Sequence, residues 1–292
     1  MLSSAIARRA QALTRRFVEG TAFPQPPLQP TRYPVVLLHG FGAVSNIVPG
    51  GVLHTEAMYL REHGVAAYAP HVNPYDTVDV RADTWSNRLT RVFEETKAEK
   101  VNLVGFSFGG LDARHLAADA RWADRVAAVV TVATPHHGTP LAAYLLEKPD
   151  RLSDWFADWT LQAMTFVGRA AWEGTPHVSA ALAELTPAHV EGVFNPAHPA
   201  PEGVWCASYS ARAGEGTGVP IYPALVPANR ILARLAGEND GLVPTASAVW
   251  EEHLGTLNAD HARLVGLRMG RGGLDSKALF LEIATRLRDR GL

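Results

Sequence analysis

Two periodicities alternate along the first half of this chain. Residues 35–38, 65–69, 101–104 and 126–133 form short, nearly unbroken apolar runs, the pattern of a parallel strand buried on both faces. Between them, residues 53–63 and 79–98 repeat at the helical period; Trp85, Leu89, Val92, Phe93 and Thr96 form one stripe, and Gly64 stands where a helix C-cap is expected. Strand, helix and strand in succession predict an α/β fold, a mostly parallel sheet with helices on both faces. Further strands are expected at 204–208 and 231–236. A closing helix is expected at 275–290, with Leu279, Phe280, Ile283 and Leu287 inward.

The alternation breaks twice. Residues 21–34 carry five prolines and read as an extended connector, so 1–32 is set apart from a main domain of 33–292. Residues 141–195 are helical in composition and include Trp155, Phe156, Trp159, Phe166 and Trp172. Helices inserted on one side of an α/β sheet make a natural lid or cap. Their aromatics either line an apolar pocket, Trp155, Phe156, Trp159 and Phe166 being the candidates, or glue the insertion to the core.

Composition narrows the classes. The chain has 292 residues, 47% of them apolar and 19% charged, with a formal charge of -2, which suits one large α/β domain or two small ones and argues against a general nucleic-acid binder. Its single cysteine, Cys206, excludes an intrachain disulfide and lies in an apolar strand-like run, where a buried, inert thiol is expected. No run of 18 apolar residues occurs. Leu2, Ile6, Leu13 and Phe17 face Arg8, Arg9, Arg15 and Arg16 across a helical period; such a helix packs on its own domain, lies on an anionic membrane surface or serves as a transit peptide. Without a secretory pattern the expected location is the cytoplasm or a membrane surface, with secretion as the alternative.

Chemistry enters at Gly105-Phe106-Ser107-Phe108-Gly109. A serine between glycines, preceded by a strand and followed by a helix, is the setting of a nucleophile elbow. Gly105 and Gly109 leave room where backbone crosses backbone. A hydroxyl is a weak nucleophile at neutral pH, so Ser107 needs a base, and the base an orienting acid. Asp240 in Asn239-Asp240-Gly241, at the end of the strand expected at 231–236, and His261 in a later loop follow in the order Ser, Asp, His. Asp260 is a rival acid, but its place beside the base keeps it from the far imidazole nitrogen. The backbone N–H groups of Phe108 and of Phe41, in the loop after the first strand, are the expected oxyanion donors. His39 is expected to be a structural hydrogen-bond residue. His136 and His137 have no spaced ligand partners and read as scaffold of the site wall.

Together these blocks resemble the bacterial triacylglycerol lipases and their eukaryotic relatives. The matching pieces are Tyr33 to Gly40, Val101 to Arg114, Ala133 to Thr139, Asn239 to Val243, and Asp260-His261. The resemblance implies an α/β-hydrolase fold, lipase or esterase chemistry on an ester or lipid substrate, a mobile helical lid, a triad of Ser107, Asp240 and His261, and oxyanion donors at Phe41 and Phe108. Polyester hydrolysis, acyl transfer or a catalytically silent binding module would use the same frame. Two departures stand out. Many secreted members hold a calcium ion with an aspartate two residues after the triad histidine; here that residue is Arg263, and no aspartate lies between Asp158 and Asp240. No metal and no cofactor is therefore expected. Phe106 also stands before the nucleophile where histidine is usual, and is expected to shape the pocket or to alter the hydrogen bonding beneath the elbow.

Overall fold

The apolar runs become the strands of a parallel sheet in the computed structural model, which describes residues 27–42, 51–148, 178–267 and 273–292. The expectations for the N-terminal basic helix and for Trp155, Phe156, Trp159, Phe166 and Trp172 concern residues outside this description.

Six strands, β1 (Val35–Leu38), β2 (Ala67–Tyr68), β3 (Val101–Phe106), β4 (Val126–Val132), β5 (Trp205–Arg212) and β6 (Glu252–Asn258), pair in the order β2-β1-β3-β4-β5-β6. All neighbours are parallel. Helices α1 (His54–Glu62), α2 (Val78–Thr96), α3 (Phe108–Ala118), α4 (Pro140–Glu147), α5 (Val178–Glu184), α6 (Val226–Ala236) and α7 (Ser276–Asp289) flank and cover it. Alternate strand residues supply two cores, as a period of two requires. Val35, Leu37, Val104 and Phe106 pack with Leu60 of α1 and Phe280 and Ile283 of α7. Val36, Leu38 and Leu103 pack on the other face with Trp85 and Leu89 of α2 and Leu116 of α3.

The order reverses at β1, which is followed in sequence by β2 on one side and by β3 on the other. Loops leaving the C-terminal ends of adjacent strands diverge at such a switch point and leave a crevice there. In this chain the diverging loops start at His39 and Ser107.

The stretch 231–236 is not a strand. It is the second half of α6, with Ala228, Asn229 and Leu232 inward and Leu235 exposed. Pro227 at the helix start and the Ala, Arg and Leu that follow outweigh one β-branched Ile231. Asp240 therefore follows a helix, and only an isolated antiparallel bridge, Asn239 with Pro244, frames its turn. The real sixth strand, β6, lies at the sheet edge and is largely exposed.

A third apolar cluster sits over the switch point. Leu141 and Leu145 of α4, Ala181 and Leu182 of α5, and Val190 and Phe194 of the short helical run 187–197 cover Phe108 and Leu111 of α3. Glu184, the last residue of α5, accepts a hydrogen bond from the Val78 amide that opens α2, at 2.7 Å. Burial raises the Glu184 carboxyl from 4.5 to about 7; Asp79 and Asp112 add to the rise, while the Val78 amide and Arg81 oppose it. The folded chain therefore holds a proton that the unfolded chain has lost over that interval. Stability from this group is complete below pH 4.5 and fades as pH rises through 7. Glu184→Gln keeps the acceptor without the charge and is expected to stabilise the fold by about 2 kcal/mol at pH 8 but not at pH 4. Urea midpoints at the two pH values measure this, and an equal shift at both would contradict it.

Candidate active site

Ser107 follows β3 and caps α3 with φ 56 and ψ -130, a conformation that residues other than glycine seldom adopt. The strain is held by close backbone packing. A Cβ on Gly105 would overlap the Gly109 carbonyl and Gly110, and one on Gly109 would overlap the Leu38 carbonyl of β1. The Ser107 carbonyl is held by the Thr134 hydroxyl at 2.8 Å, and its amide by the Val132 carbonyl at 2.9 Å. The turn aims Oγ out of the sheet toward the crevice wall formed by His261.

The Ser107 hydroxyl lies 2.9 Å from His261 Nε2, and His261 Nδ1 lies 2.7 Å from Asp240 Oδ2. Asp240 is 1% exposed and His261 6%. The second carboxylate oxygen of Asp240 accepts the amides of Leu242 and Val243 at 3.0 and 2.8 Å. Asp240 is thus an acceptor on both oxygens, so Nδ1 carries the imidazole proton and Nε2 turns its lone pair to the serine hydroxyl. The His261 amide also donates to the Asp240 carbonyl at 2.9 Å, locking the two loops together. Asp260, the rival acid, is turned away: its oxygens accept the amides of Tyr222 and Arg263.

At the neighbouring strand end, a Cβ on Gly40 would stand 2.6 Å from the Ser107 Cβ, so the loop leaving β1 runs against the serine. Phe41 follows, its ring edge-on to Tyr75 at 5.5 Å and to Phe108 at 6.4 Å. The Phe108 amide belongs to the first turn of α3, whose N–H groups have no partner inside the helix and point along its positive end.

A model of the alpha/beta hydrolase fold family matches residues 33–183, just over half of the chain. The chain belongs to the α/β-hydrolase family. It is 28% identical over 296 residues to a triacylglycerol lipase of Pseudomonas fragi, covering 90% of this chain and 98% of the relative. A triacylglycerol lipase of Vibrio cholerae is 27% identical over 285 residues, covering 90% and 89%. Among solved structures, a metagenomic carboxyl esterase superposes with a TM-score of 0.68 at 22% identity, covering 92% of this chain and 80% of that one. A Bacillus licheniformis lipase in its mature form does so with 0.64 at 21%, covering 90% and 96%. These structures share the fold.

Other expected site residues take varied places in this hydrolase. Phe106, expected on the pocket wall, is 5% exposed and packs its ring 4.7 Å from that of His261, on the α1 and α7 side of the sheet. As an inward residue of β3 it backs the imidazole. His39 is buried; its Nε2 accepts the Val72 amide at 3.2 Å and its Nδ1 meets the Gly40 carbonyl at 3.0 Å. Burial and the Arg81 guanidinium lower it to about 3, so the ring is a neutral brace for the loop. His136 is fully buried and held well below its ordinary value by desolvation and by Arg114. Arg114 donates to its Nδ1 at 3.2 Å, which leaves Nε2 to donate to the Thr131 hydroxyl at 2.9 Å. His137 is about half exposed and lies 3.6 Å from Glu191. Burial pushes the Cys206 thiol up to about 12.

Among the described residues no group of three or more His, Cys, Asp or Glu is placed to hold a metal ion. Two residues after His261, the Arg263 amide caps Asp260 and the Arg263 guanidinium lies against Gly273.

Two supports went unread in the sequence. Arg81 and Asp112 form a buried ion pair at 2.6 Å beneath the elbow, and Arg81 also holds the His39 carbonyl at 2.6 Å and the Asn73 carbonyl at 3.0 Å. Trp85 Nε1 donates to the same aspartate at 2.9 Å. The signal was an arginine on the apolar stripe of α2, four residues before Trp85. Asn229 and Asn239, in turn, bond side chain to side chain at 2.7 Å and brace the turn that carries Asp240.

Proposed function

We propose that this chain hydrolyses carboxylic esters with apolar acyl groups through an acyl-enzyme on Ser107. It is a hydrolase of the lipase and carboxylesterase kind. One observation carries the reading: the unbroken hydrogen-bonded series from Ser107 Oγ through His261 to the buried Asp240. The triacylglycerol lipases among its relatives, matched over nearly their whole length, support an ester as the substrate.

In this mechanism the Ser107 hydroxyl attacks the ester carbonyl as its proton passes to His261 Nε2. Asp240 stays ionised and stabilises the imidazolium. The carbonyl oxygen becomes an oxyanion between the amides of Phe41 and Phe108. Collapse expels the alcohol, which takes the proton from His261, and water then repeats the cycle on the acyl-enzyme. The partly exposed Phe41, in the loop that runs against the serine and backed by the buried rings of Tyr75 and Phe108, favours an apolar acyl group. Burial raises the Tyr75 phenol to about 12, so it stays neutral there.

A fluorophosphonate probe is expected to add its mass to Ser107 alone, and turnover is expected to change systematically across nitrophenyl esters of increasing acyl length. A folded protein that takes no label and turns over no ester would instead be a binding module. A jump in rate above the substrate's solubility limit assigns lipase behaviour, and its absence assigns an esterase.

A further inference from the structure

Three arginines gather at the β2 edge of the sheet. Helix α1 presents Ala57, Met58 and Arg61 along one face, α2 presents Arg88, Arg91 and Val92, and residues 67–71 form the floor of a groove of about 390 Å³ between them. We propose that this groove binds a single-chain anionic amphiphile, an alkyl chain ending in a carboxylate or a phosphate. The assignment does not depend on what Ser107 does.

Among the described residues no carboxylate lies within ion-pair distance of these arginines. The ion pairs that arginines make among the described residues involve Arg81, Arg121, Arg212, Arg286, Arg288 and Arg290, not these three. The Arg88 Nε is buried without a hydrogen-bond partner. Arg61 is held in place, its Nε donating to the Ala67 carbonyl at 2.6 Å and its guanidinium lying 5.0 Å from the centre of the Tyr68 ring. Glu95, the acid in the lining, accepts the Tyr68 hydroxyl at 3.0 Å. A guanidinium is weakly hydrated and matches the planar, forked geometry of carboxylate and phosphate oxygens, so three of them facing one groove select an oxyanion.

The apolar share of the lining selects what the anion is attached to. Met58 is 43% exposed at the groove, a large side chain left in water. Tyr68, Ala69 and Pro70, each half-buried in the lining, extend that surface along the floor. A bare inorganic anion would leave it wet, whereas an alkyl chain would cover it. The volume lies within the range of roughly 300–1,000 Å³ usual for small-molecule sites. His71, also in the lining, stacks on His39 at 5.0 Å and so gives a reporter inside the groove.

The test titrates the full chain with dodecanoate and with dodecyl phosphate, below their micelle concentrations, by calorimetry and by the side-chain NMR signals of His71. Binding is expected to shift His71, and the double variant Arg88→Gln/Arg91→Gln is expected to weaken it by about tenfold or more with hydrolysis of a short nitrophenyl ester unchanged. The tighter of the two probes identifies the head group. Equal affinity in the parent and the variant, as a chain bound only near Ser107 would give, overturns the proposal. So does dodecanol or inorganic phosphate binding as tightly as the charged amphiphiles.

Discussion

Ser107→Ala is expected to lower kcat/KM for nitrophenyl esters by about 10⁴-fold or more while leaving Tm unchanged or slightly raised. The two readouts part because, on the proposed mechanism, Ser107 serves chemistry at a cost in backbone strain. Its φ of 56 is imposed by the crossing of β1, β3 and α3, and alanine inherits that strain without adding to it. Among the described residues the hydroxyl itself makes one bond, to His261 Nε2. Losing it leaves the imidazole still held by Asp240 and backed by the Phe106 ring. Residual activity would come from the oxyanion donors and from binding, which do not need the serine. The same logic predicts that Ser107→Ala/His261→Ala is no slower than the single variant, because the two act as one unit. A double variant slower by the product of the single losses would mean that His261 works independently of Ser107, and a single variant that keeps its rate would remove the serine from the mechanism.

The parts of the fold legible in the sequence are those where one physical demand dominates. β1, β3 and β4 are buried on both faces, so nearly every residue must be apolar and the runs are unmistakable. β6 is an edge strand that starts with Glu252 and His253 and carries Gly255 and Thr256 in its middle; only one side meets another strand, and no run results. The stretch 231–236 misleads because its apolar residues are adjacent, and only the inward set of Ala228, Asn229 and Leu232 reveals the helical period. The candidate site is legible where its chemistry is local. The elbow is, because its glycines and serine lie within five residues. Asp240 and His261 are, because each sits in a turn of recognisable composition in a fixed chain order. Their supports are not, because Arg81 with Asp112 and Asn229 with Asn239 pair across the fold, and a single polar residue on a helix face does not announce its partner.

Arg81→Met is expected to be the most damaging change to stability, at about 3–5 kcal/mol. Arg81 is 1% exposed and Asp112 0%, so removing the cation leaves a carboxylate in the protein interior whose one remaining side-chain donor among the described residues is the Trp85 indole. The same guanidinium holds the His39 carbonyl at the end of β1 and the Asn73 carbonyl in the loop after β2, so two loop anchors are lost with the charge. Asp112→Leu is expected to cost a similar amount by the converse route, an unpaired buried guanidinium. The decisive comparison is the double variant Arg81→Met/Asp112→Leu. With both charges gone the buried groups left unpaired are neutral, the two carbonyls and the Trp85 indole N–H, and the double variant is expected to be more stable than either single one. Chemical denaturation of the four proteins closes the cycle. If the two single losses simply add, the pair is not coupled. If the double variant regains stability but hydrolyses esters more slowly than the parent, the pair positions the loop after β1, because the His39 carbonyl has lost its anchor while the buried charge has gone.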